Sequence, residues 1–301
     1  MWAIADIPPQ SGRLAIVTGA TGGLGYATAF ALARAGAEVV IAARNPAKAA
    51  TALAAIGSPN VTYAPLDLAS LASVAAFAAR VTRPLDLLVN NAGVMALPTR
   101  CTTEDGFELQ FGTNYLGHFA LAAHLLPHLR AAPHPRVVSL ASLAHRRGRI
   151  DFEDLQGARN YRPWKAYSQS KLAMLLFARE LQRRSDAADW GLASFAAHPG
   201  WARTDLVANG PASRGVAALV SQFAALAAPL FIQSAAAGAL PILYAATSPD
   251  AQPGAYYGPD GAGEIRGHPS LSKLSPAAQD AATAAKLWAV SEQVTGVRFG
   301  T

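Results

Sequence analysis

The chain has a single cysteine, Cys101, in 301 residues. An intramolecular disulfide and a cysteine-based zinc site are both excluded, and a reducing compartment suits such a sequence. Charge is also scarce, only 15% of the residues being Asp, Glu, Lys or Arg. The balance is basic, +6 at pH 7, yet the cations are scattered and the one tight group is Arg146, Arg147 and Arg149 beside His145. A nucleic-acid surface needs a longer basic face with aromatics or a recognisable binding module. Neither is present, so no nucleic-acid partner is expected.

Between Arg214 and Asp250 charged residues and histidine vanish altogether. This apolar stretch is broken by Gln222, Pro229, Gln233, Ser234, Gly238 and Pro241, so it is not the clean run of about twenty apolar residues that a membrane span requires. Two buried or ligand-covering helices are expected there instead. Residues 1–12 lack the basic start and apolar stretch of a secretory signal and carry Asp6 and two prolines, so a cytoplasmic location is the expectation. His124 and His128 share a helix face, but Pro127 intervenes and no carboxylate or cysteine accompanies them. No metal is expected.

What is abundant is apolar: 51% of the residues are hydrophobic, enough to fill a sizeable core. Short apolar runs at 14–18, 38–43, 61–66, 85–90, 136–141, 191–197 and 254–257 alternate with alanine- and leucine-rich segments at 24–35, 46–55, 71–82, 106–130, 164–184 and 276–294. Strands that are apolar throughout are covered by helices on both faces, and the alternation predicts repeated βα units. The expected fold is α/β: a doubly wound parallel sheet of about seven strands in a single domain, 1–301. Residues 205–249 are expected to form a helical cover over the ligand cleft.

The first strand runs into Gly19-Ala20-Thr21-Gly22-Gly23-Leu24-Gly25. Glycines between a first strand and a first helix let backbone approach a pyrophosphate at the helix N-terminus. Gly19, Thr21, Gly23, Leu24 and Gly25 are therefore candidate cofactor residues. The second strand ends in Ala43-Arg44, where an acid would select the adenosine ribose hydroxyls. An arginine there suits a 2′-phosphate, which points to NADP(H). Tyr167 and Lys171 lie four residues apart on one predicted helix, so they share a face. A lysine ammonium there favours the phenolate and would lower the tyrosine pKa from about 10. Ser139 and Ser142 close the fifth strand, whose carboxyl end faces the ligand crevice, and either could hydrogen-bond a substrate oxygen.

These motifs resemble, in order and spacing, those of the short-chain dehydrogenase/reductase family, and the stretch from Ser142 to Tyr167 resembles its retinol-dehydrogenase-like branch. The resemblance implies a Rossmann-type fold and hydride exchange between NADP(H) and a carbonyl/alcohol substrate. It implies that Tyr167 acts as acid, with Ser142 rather than Ser139 polarising the oxygen, and that Lys171 binds the nicotinamide ribose. Asn114 would hold a water linking Lys171 to solvent. Asp67, followed by Leu68, would lie near the adenine. Asn91, Ala92 and Gly93 would line the cofactor, as would the Pro199-Gly200 turn, with Thr204 on the carboxamide. A bulky hydrophobic substrate is implied, with Val94, Met95, Tyr161, Trp164, Trp201, Phe223 and Leu226 as candidate contacts. Family members pair through the helices carrying Asn114 and Tyr167, so a homodimer or homotetramer is implied, though the long connection from Ser142 to Tyr167 could obstruct one such surface. A non-catalytic NADP(H) sensor and a carbon–carbon double-bond reductase are the alternatives; a sensor has no need of all four catalytic residues.

Overall fold

The computed structural model describes residues 1–202 and 233–300. Eight strands form one sheet: β1 (Leu14–Thr18), β2 (Glu38–Ala43), β3 (Val61–Pro65), β4 (Leu87–Asn90), β5 (Arg136–Leu140), β6 (Ala193–Ala197), β7 (Tyr256–Pro259) and β8 (Pro269–Leu271). Their order is β3-β2-β1-β4-β5-β6-β7-β8, with every pair parallel except β7 and β8. The expected seven strands are thus joined by an eighth. It is three residues long, begins with proline and sits at the edge, where a missing ladder donor is tolerated.

Helices α1 (Gly23–Arg34), α2 (Pro46–Ile56), α3 (Leu71–Ala78), α4 (Leu109–Phe111), α5 (Gly117–Arg130), α6 (Pro163–Ala188), α7 (Ala235–Thr247) and α8 (Ala281–Thr295) surround the sheet. Their ends follow local chemistry. Asn45 caps α2 by accepting from the Lys48 N–H at 3.0 Å, Pro46 opens it, and Gly57 closes it at φ +63°. Asp280 accepts from the Thr283 N–H at 3.0 Å and so starts α8 at Ala281, five residues later than the apolar pattern suggests, after a short 3₁₀ turn, Pro276–Gln279.

The sheet separates two cores. On one face α1, α2 and α7 cover Val17, Val39, Ile41 and Val89. On the other α3, α5, α6 and α8 cover Ile16, Leu88 and Val137. Helix α7 falls inside the stretch expected to cover the cleft, yet its Ala239, Ile242, Leu243, Ala245 and Ala246 are buried in the first core. That part of the stretch is core.

The C-terminal helix closes the second core. Trp288 stacks on Phe177 of α6 with ring centroids 5.8 Å apart and meets Phe119 of α5 edge-on at 5.1 Å. Such aromatic pairs contribute roughly 0.5–1.5 kcal/mol each beyond the area they bury. Helix α8 of the same chain thus packs on the side of α5 and α6 that carries Phe119 and Phe177. Ser291 of α8 also meets the buried Tyr115 hydroxyl at 2.7 Å.

Tyr115 belongs to a departure from the expected continuous helix over 106–130. Between α4 and α5, residues Gly112–Leu116 wind as a π-helical turn. Such turns recur at functional sites, and this one contains Asn114.

Because β1 and β4 are neighbours while the chain winds outward from them in opposite directions, their carboxyl ends mark the switch point of the sheet. Ligands of open α/β sheets bind there. The ends concerned are Thr18, Asn90 and, on adjacent β5, Leu140.

Candidate active site

The β1–α1 turn carries Gly19 at φ +67° and Gly23 at φ +54°, a left-handed conformation that glycine adopts without a Cβ penalty. Helix α1 then starts with no side-chain cap, since Gly22 has none to offer. Uncapped N–H groups at a helix start attract an anion, so the turn fits a dinucleotide pyrophosphate. Leu24 and Gly25 are buried and Thr21 is half-buried. Asn91 locks the turn from β4, its Nδ2 donating to the Thr18 carbonyl at 2.8 Å. A Cβ on Gly19 would lie 2.9 Å from Ala92 Cα, so glycine is required where these two loops touch.

Arg44 is 74% exposed, and its only ion pair among the described residues is a loose one, 3.7 Å to Asp67. An exposed pair of this kind contributes little, which leaves the guanidinium available to a phosphate. Asp67 also accepts from the Ala69 N–H at 2.9 Å. The Leu68 side chain lies in the second core rather than toward a ligand.

Tyr167 and Lys171 project together from α6, the Lys171 Nζ lying 5.9 Å from the Tyr167 ring centroid. The Ser142 side chain faces the Tyr167 hydroxyl closely enough to pull its pKa down. Lys171 donates to the Leu140 carbonyl at the end of β5, at 2.9 Å. Ser139 is fully buried within that strand, where its hydroxyl receives the Asn90 amide at 3.4 Å. The structure thus brings Ser142, not Ser139, to the tyrosine.

Electrostatics here differ from the expectation that Lys171 would lower the Tyr167 pKa. Burial pushes the phenol up to about 12, against a smaller downward pull from the Ser142 hydrogen bond. Burial also pulls the Lys171 ammonium down to about 8. Both ionised forms are penalised because the pair shares one dry pocket.

Asn114 makes three side-chain hydrogen bonds. Its Oδ1 accepts from the Val94 N–H at 2.7 Å, while Nδ2 donates to the Val94 carbonyl and to Ser170 Oγ, both at 2.9 Å. The Ser170 hydroxyl in turn donates to the Tyr167 carbonyl at 2.8 Å. Asn114 therefore ties the loop after β4 to α6. A Cβ on Gly93 would meet Asn114 Oδ1 at 3.0 Å and Lys171 Nζ at 3.7 Å, so this glycine lies between the two.

Two buried side chains escaped the sequence analysis. His118 lies 2.9 Å from both Thr18 Oγ1 and the Asn114 carbonyl. The carbonyl can only accept, so the imidazole proton is on Nδ1 and Nε2 accepts from Thr18. Gln110, also buried, accepts from the Ala96 N–H at 2.7 Å and donates to the Tyr161 hydroxyl at 2.9 Å. Tyr161 donates to the Leu97 carbonyl at 2.8 Å. The hydroxyl of this candidate substrate contact thus braces the loop that presents Val94 and Met95. The only sequence signal for His118 was its four-residue spacing from Asn114.

Trp164 is 58% exposed and meets Tyr167 edge-on at 5.9 Å, while Trp201, also 58% exposed, follows the Pro199-Gly200 turn. The turn itself is fixed by Gly200, at φ +63°, whose N–H donates to His198 Nδ1 at 3.1 Å. Thr204, Phe223 and Leu226 lie outside the described residues. Among the described residues no group of His, Cys, Asp and Glu could hold a metal, and no helix is long and apolar enough to cross a membrane.

Comparison with known proteins agrees with this geometry. A family model described as short chain dehydrogenase matches residues 13–214. The chain is 41% identical over 306 residues to polyprenol dehydrogenase of Mus musculus, covering 98% of this chain and 87% of that protein. It is 39% identical over 305 residues to retinol dehydrogenase 13 of Homo sapiens, covering 97% and 86%. A solved structure of an uncharacterized protein from Mycobacterium Paratuberculosis is 42% identical, with a TM-score of 0.84 over 100% of this chain and 99% of the other.

The dry lysine has a consequence for stability. Its folded pKa, about 8, lies below the ordinary 10.5, so between these values the unfolded chain holds a proton that the folded chain has lost. Raising the pH through that window stabilises the fold. Tyr167 acts in the opposite sense only above its ordinary value of 10.0. Melting temperatures measured from pH 8 to 10 should therefore rise for the wild type relative to Lys171→Met. Parallel curves would contradict a desolvated Lys171.

Proposed function

The chain belongs to the short-chain dehydrogenase family, and on that premise we propose that it interconverts a bulky, hydrophobic ketone or aldehyde with its alcohol, using NADP(H). The observation that carries this reading is the convergence of Tyr167, Ser142 and Lys171 at the carboxyl end of β5, with Ser142 acting on the Tyr167 hydroxyl and Lys171 one helical turn away. When bound, the nicotinamide cofactor supplies or takes up the hydride.

The protein's part is to bind, orient and move a proton. At neutral pH Tyr167 carries its proton, because burial holds the phenol far above that range. It is thus in the form needed to protonate a carbonyl oxygen. Ser142, which faces that hydroxyl, would donate to the same oxygen and polarise it. The phenolate left after transfer is costly in a dry pocket, and the ammonium of Lys171 offsets that cost. Oxidation of the alcohol reverses each transfer.

Gly19, Thr21, Gly23, Leu24 and Gly25 would hold the pyrophosphate, with Asn91, Ala92, Gly93 and the Pro199-Gly200 turn lining the rest. Ala43 and Arg44, whose pair with Asp67 is loose and exposed, favour a 2′-phosphate over bare ribose hydroxyls. For the substrate, Trp164 offers an exposed apolar contact beside Tyr167, and Val94, Met95 and the exposed Trp201 would add to it. Relatives named for polyprenol and retinol support a long apolar alcohol.

Tyr167→Phe, assayed with a bulky apolar aldehyde and NADPH, should lose turnover by roughly 10²–10⁴-fold while cofactor affinity stays near the wild type. Near-normal turnover would remove Tyr167 from the proton-transfer role. The cofactor reading is tested separately. Ala43→Asp combined with Arg44→Ala should move preference from NADPH toward NADH, because the phosphate loses a cation and meets a carboxylate. A wild type that already prefers NADH would overturn it.

A further inference from the structure

We infer that Glu264 is a positioning residue for the reaction: its carboxylate clamps the turn carrying Ser142 to the turn His198-Pro199-Gly200 and so fixes the two sides of the active site relative to each other. The inference rests on the assignment of Ser142 to the substrate oxygen.

Glu264 lies in the loop between β7 and β8, far in sequence from both turns, and its side chain is only 14% exposed. Each carboxylate oxygen serves a different element. Oε1 pairs with Arg146 at 2.8 Å and also accepts from the Lys273 N–H at 3.2 Å, while Oε2 lies 3.1 Å from His198 Nε2. Its backbone has φ +59°, a conformation that costs a non-glycine residue on the order of 1 kcal/mol or more. The carboxylate contacts hold it there.

The first arm reaches the catalytic serine through one rigid turn. Residues Leu143–Arg147 form a single 3₁₀ segment, and Ser142 caps it, its Oγ accepting from the Ala144 N–H at 3.2 Å. The Ser142 carbonyl accepts from the N–H of His145 at 3.0 Å and from its ring Nδ1 at 2.7 Å. Fixing Arg146 therefore fixes the start of the same turn.

The second arm depends on a tautomer. Because the Gly200 N–H donates to His198 Nδ1, the proton of this buried imidazole must be on Nε2, directed at Glu264 Oε2 and at Ser272 Oγ 2.9 Å away. Burial, ahead of the opposing pull of Glu264, lowers the His198 pKa and keeps the ring neutral. Glu264 stays ionised: burial pushes its carboxyl up, but the bonds from His198 and Lys273 and the charge of Arg146 outweigh this and bring it to about 2. The backbone reinforces the arm, since the Trp201 N–H donates to the Ile265 carbonyl at 2.8 Å.

A carboxylate suits this position because every partner is a donor and two acceptor oxygens are required. Glutamine, equal in size, has one acceptor and one donor, so one arm of Glu264→Gln must face a donor with a donor. Arg146→Met cuts only the serine arm while keeping an apolar stem. The test measures kcat, NADPH affinity by fluorescence and melting temperature for Glu264→Gln, Arg146→Met, Arg146→Lys and Ser142→Ala. Arg146→Met should lower kcat by roughly tenfold, with NADPH affinity within about twofold of wild type, since a small misplacement of one reacting group is enough to slow the chemistry. Arg146→Lys should recover most of that loss. Glu264→Gln should lower kcat at least as far and, through the Gly200 turn, also weaken NADPH binding by roughly fivefold; adding Arg146→Met to it should lower kcat no further.

If Glu264→Gln and Arg146→Met both keep kcat within about twofold of wild type while Ser142→Ala is inactive, or lose activity only in proportion to the unfolded fraction, the inference is overturned and the family assignment of Ser142 stands. If Ser142→Ala itself retains full turnover, the assignment of Ser142 fails, and the clamp fails with it.

Discussion

A chain of hydrogen bonds sealed inside the molecule joins the end of β1 and the loop after β4 to helix α6. The Thr18 hydroxyl receives the N–H groups of Asn91 and Ala92 at 2.9 and 3.0 Å and lies 2.9 Å from His118 Nε2. His118 continues to the Asn114 carbonyl, Asn114 to Ser170, and Ser170 to the backbone of Tyr167. Thr18, His118, Asn114 and Ser170 are each fully buried. Every link is between a donor and an acceptor with no water to substitute, so a shift in one element would leave a buried polar group unpaired, at a cost of about 1–3 kcal/mol. That penalty is what holds β1, β4, α5 and α6 in a single register. The π-helical turn at Gly112–Leu116 belongs to the same constraint, with Ser291 of the C-terminal helix bracing its Tyr115.

Dryness gives the site its chemistry. The sequence pattern of a tyrosine and a lysine one turn apart suggests an acidified phenol, but that reading treats the lysine as a full charge in a polar medium. In the folded protein burial acts on both partners, raising Tyr167 and lowering Lys171. The result is a phenol that stays protonated at neutral pH and an ammonium that keeps most of its charge there although burial disfavours it, each sensitive to charge that develops between them. Water-excluded donors of this kind need little reorganisation when the reaction occurs, which is why the supporting network matters as much as the reacting groups.

The sheet was legible in the sequence because its strands are fully covered. Leu14–Thr18 and Leu87–Asn90 are apolar runs with no exposed face, and the glycine turn and the Tyr167–Lys171 pair fall where the alternating pattern requires. Local composition could not reveal β8, whose three residues pair only because β7 lies beside them. Nor could it distinguish the π-helical turn from an ordinary helix, since Gly-Thr-Asn-Tyr-Leu contains no proline and its one glycine is tolerated in either. Helix α7 illustrates a different limit. Its lack of charge suggested a ligand cover, but Gly238 is required by close packing, a Cβ there lying 2.6 Å from Ala202 and 2.9 Å from Leu24. His118 and Glu264 matter through partners 100 and 118 residues away in the chain, Thr18 and Arg146. Spacing within one helix or loop cannot show such pairings.

The most direct test of this account is the ionisation and tautomer of His118, read from the imidazole ¹⁵N chemical shifts of the wild-type protein. Burial, ahead of the favourable Asn114 hydrogen bond, lowers its pKa to about 4. The account predicts a neutral ring protonated on Nδ1, with Nε2 bare and accepting from Thr18, and no change in either shift as the pH falls from 8 to 5.5. A ring that titrates near its ordinary 6.5, or one protonated on Nε2, would contradict the continuous hydrogen-bonded link between the end of β1 and helix α6.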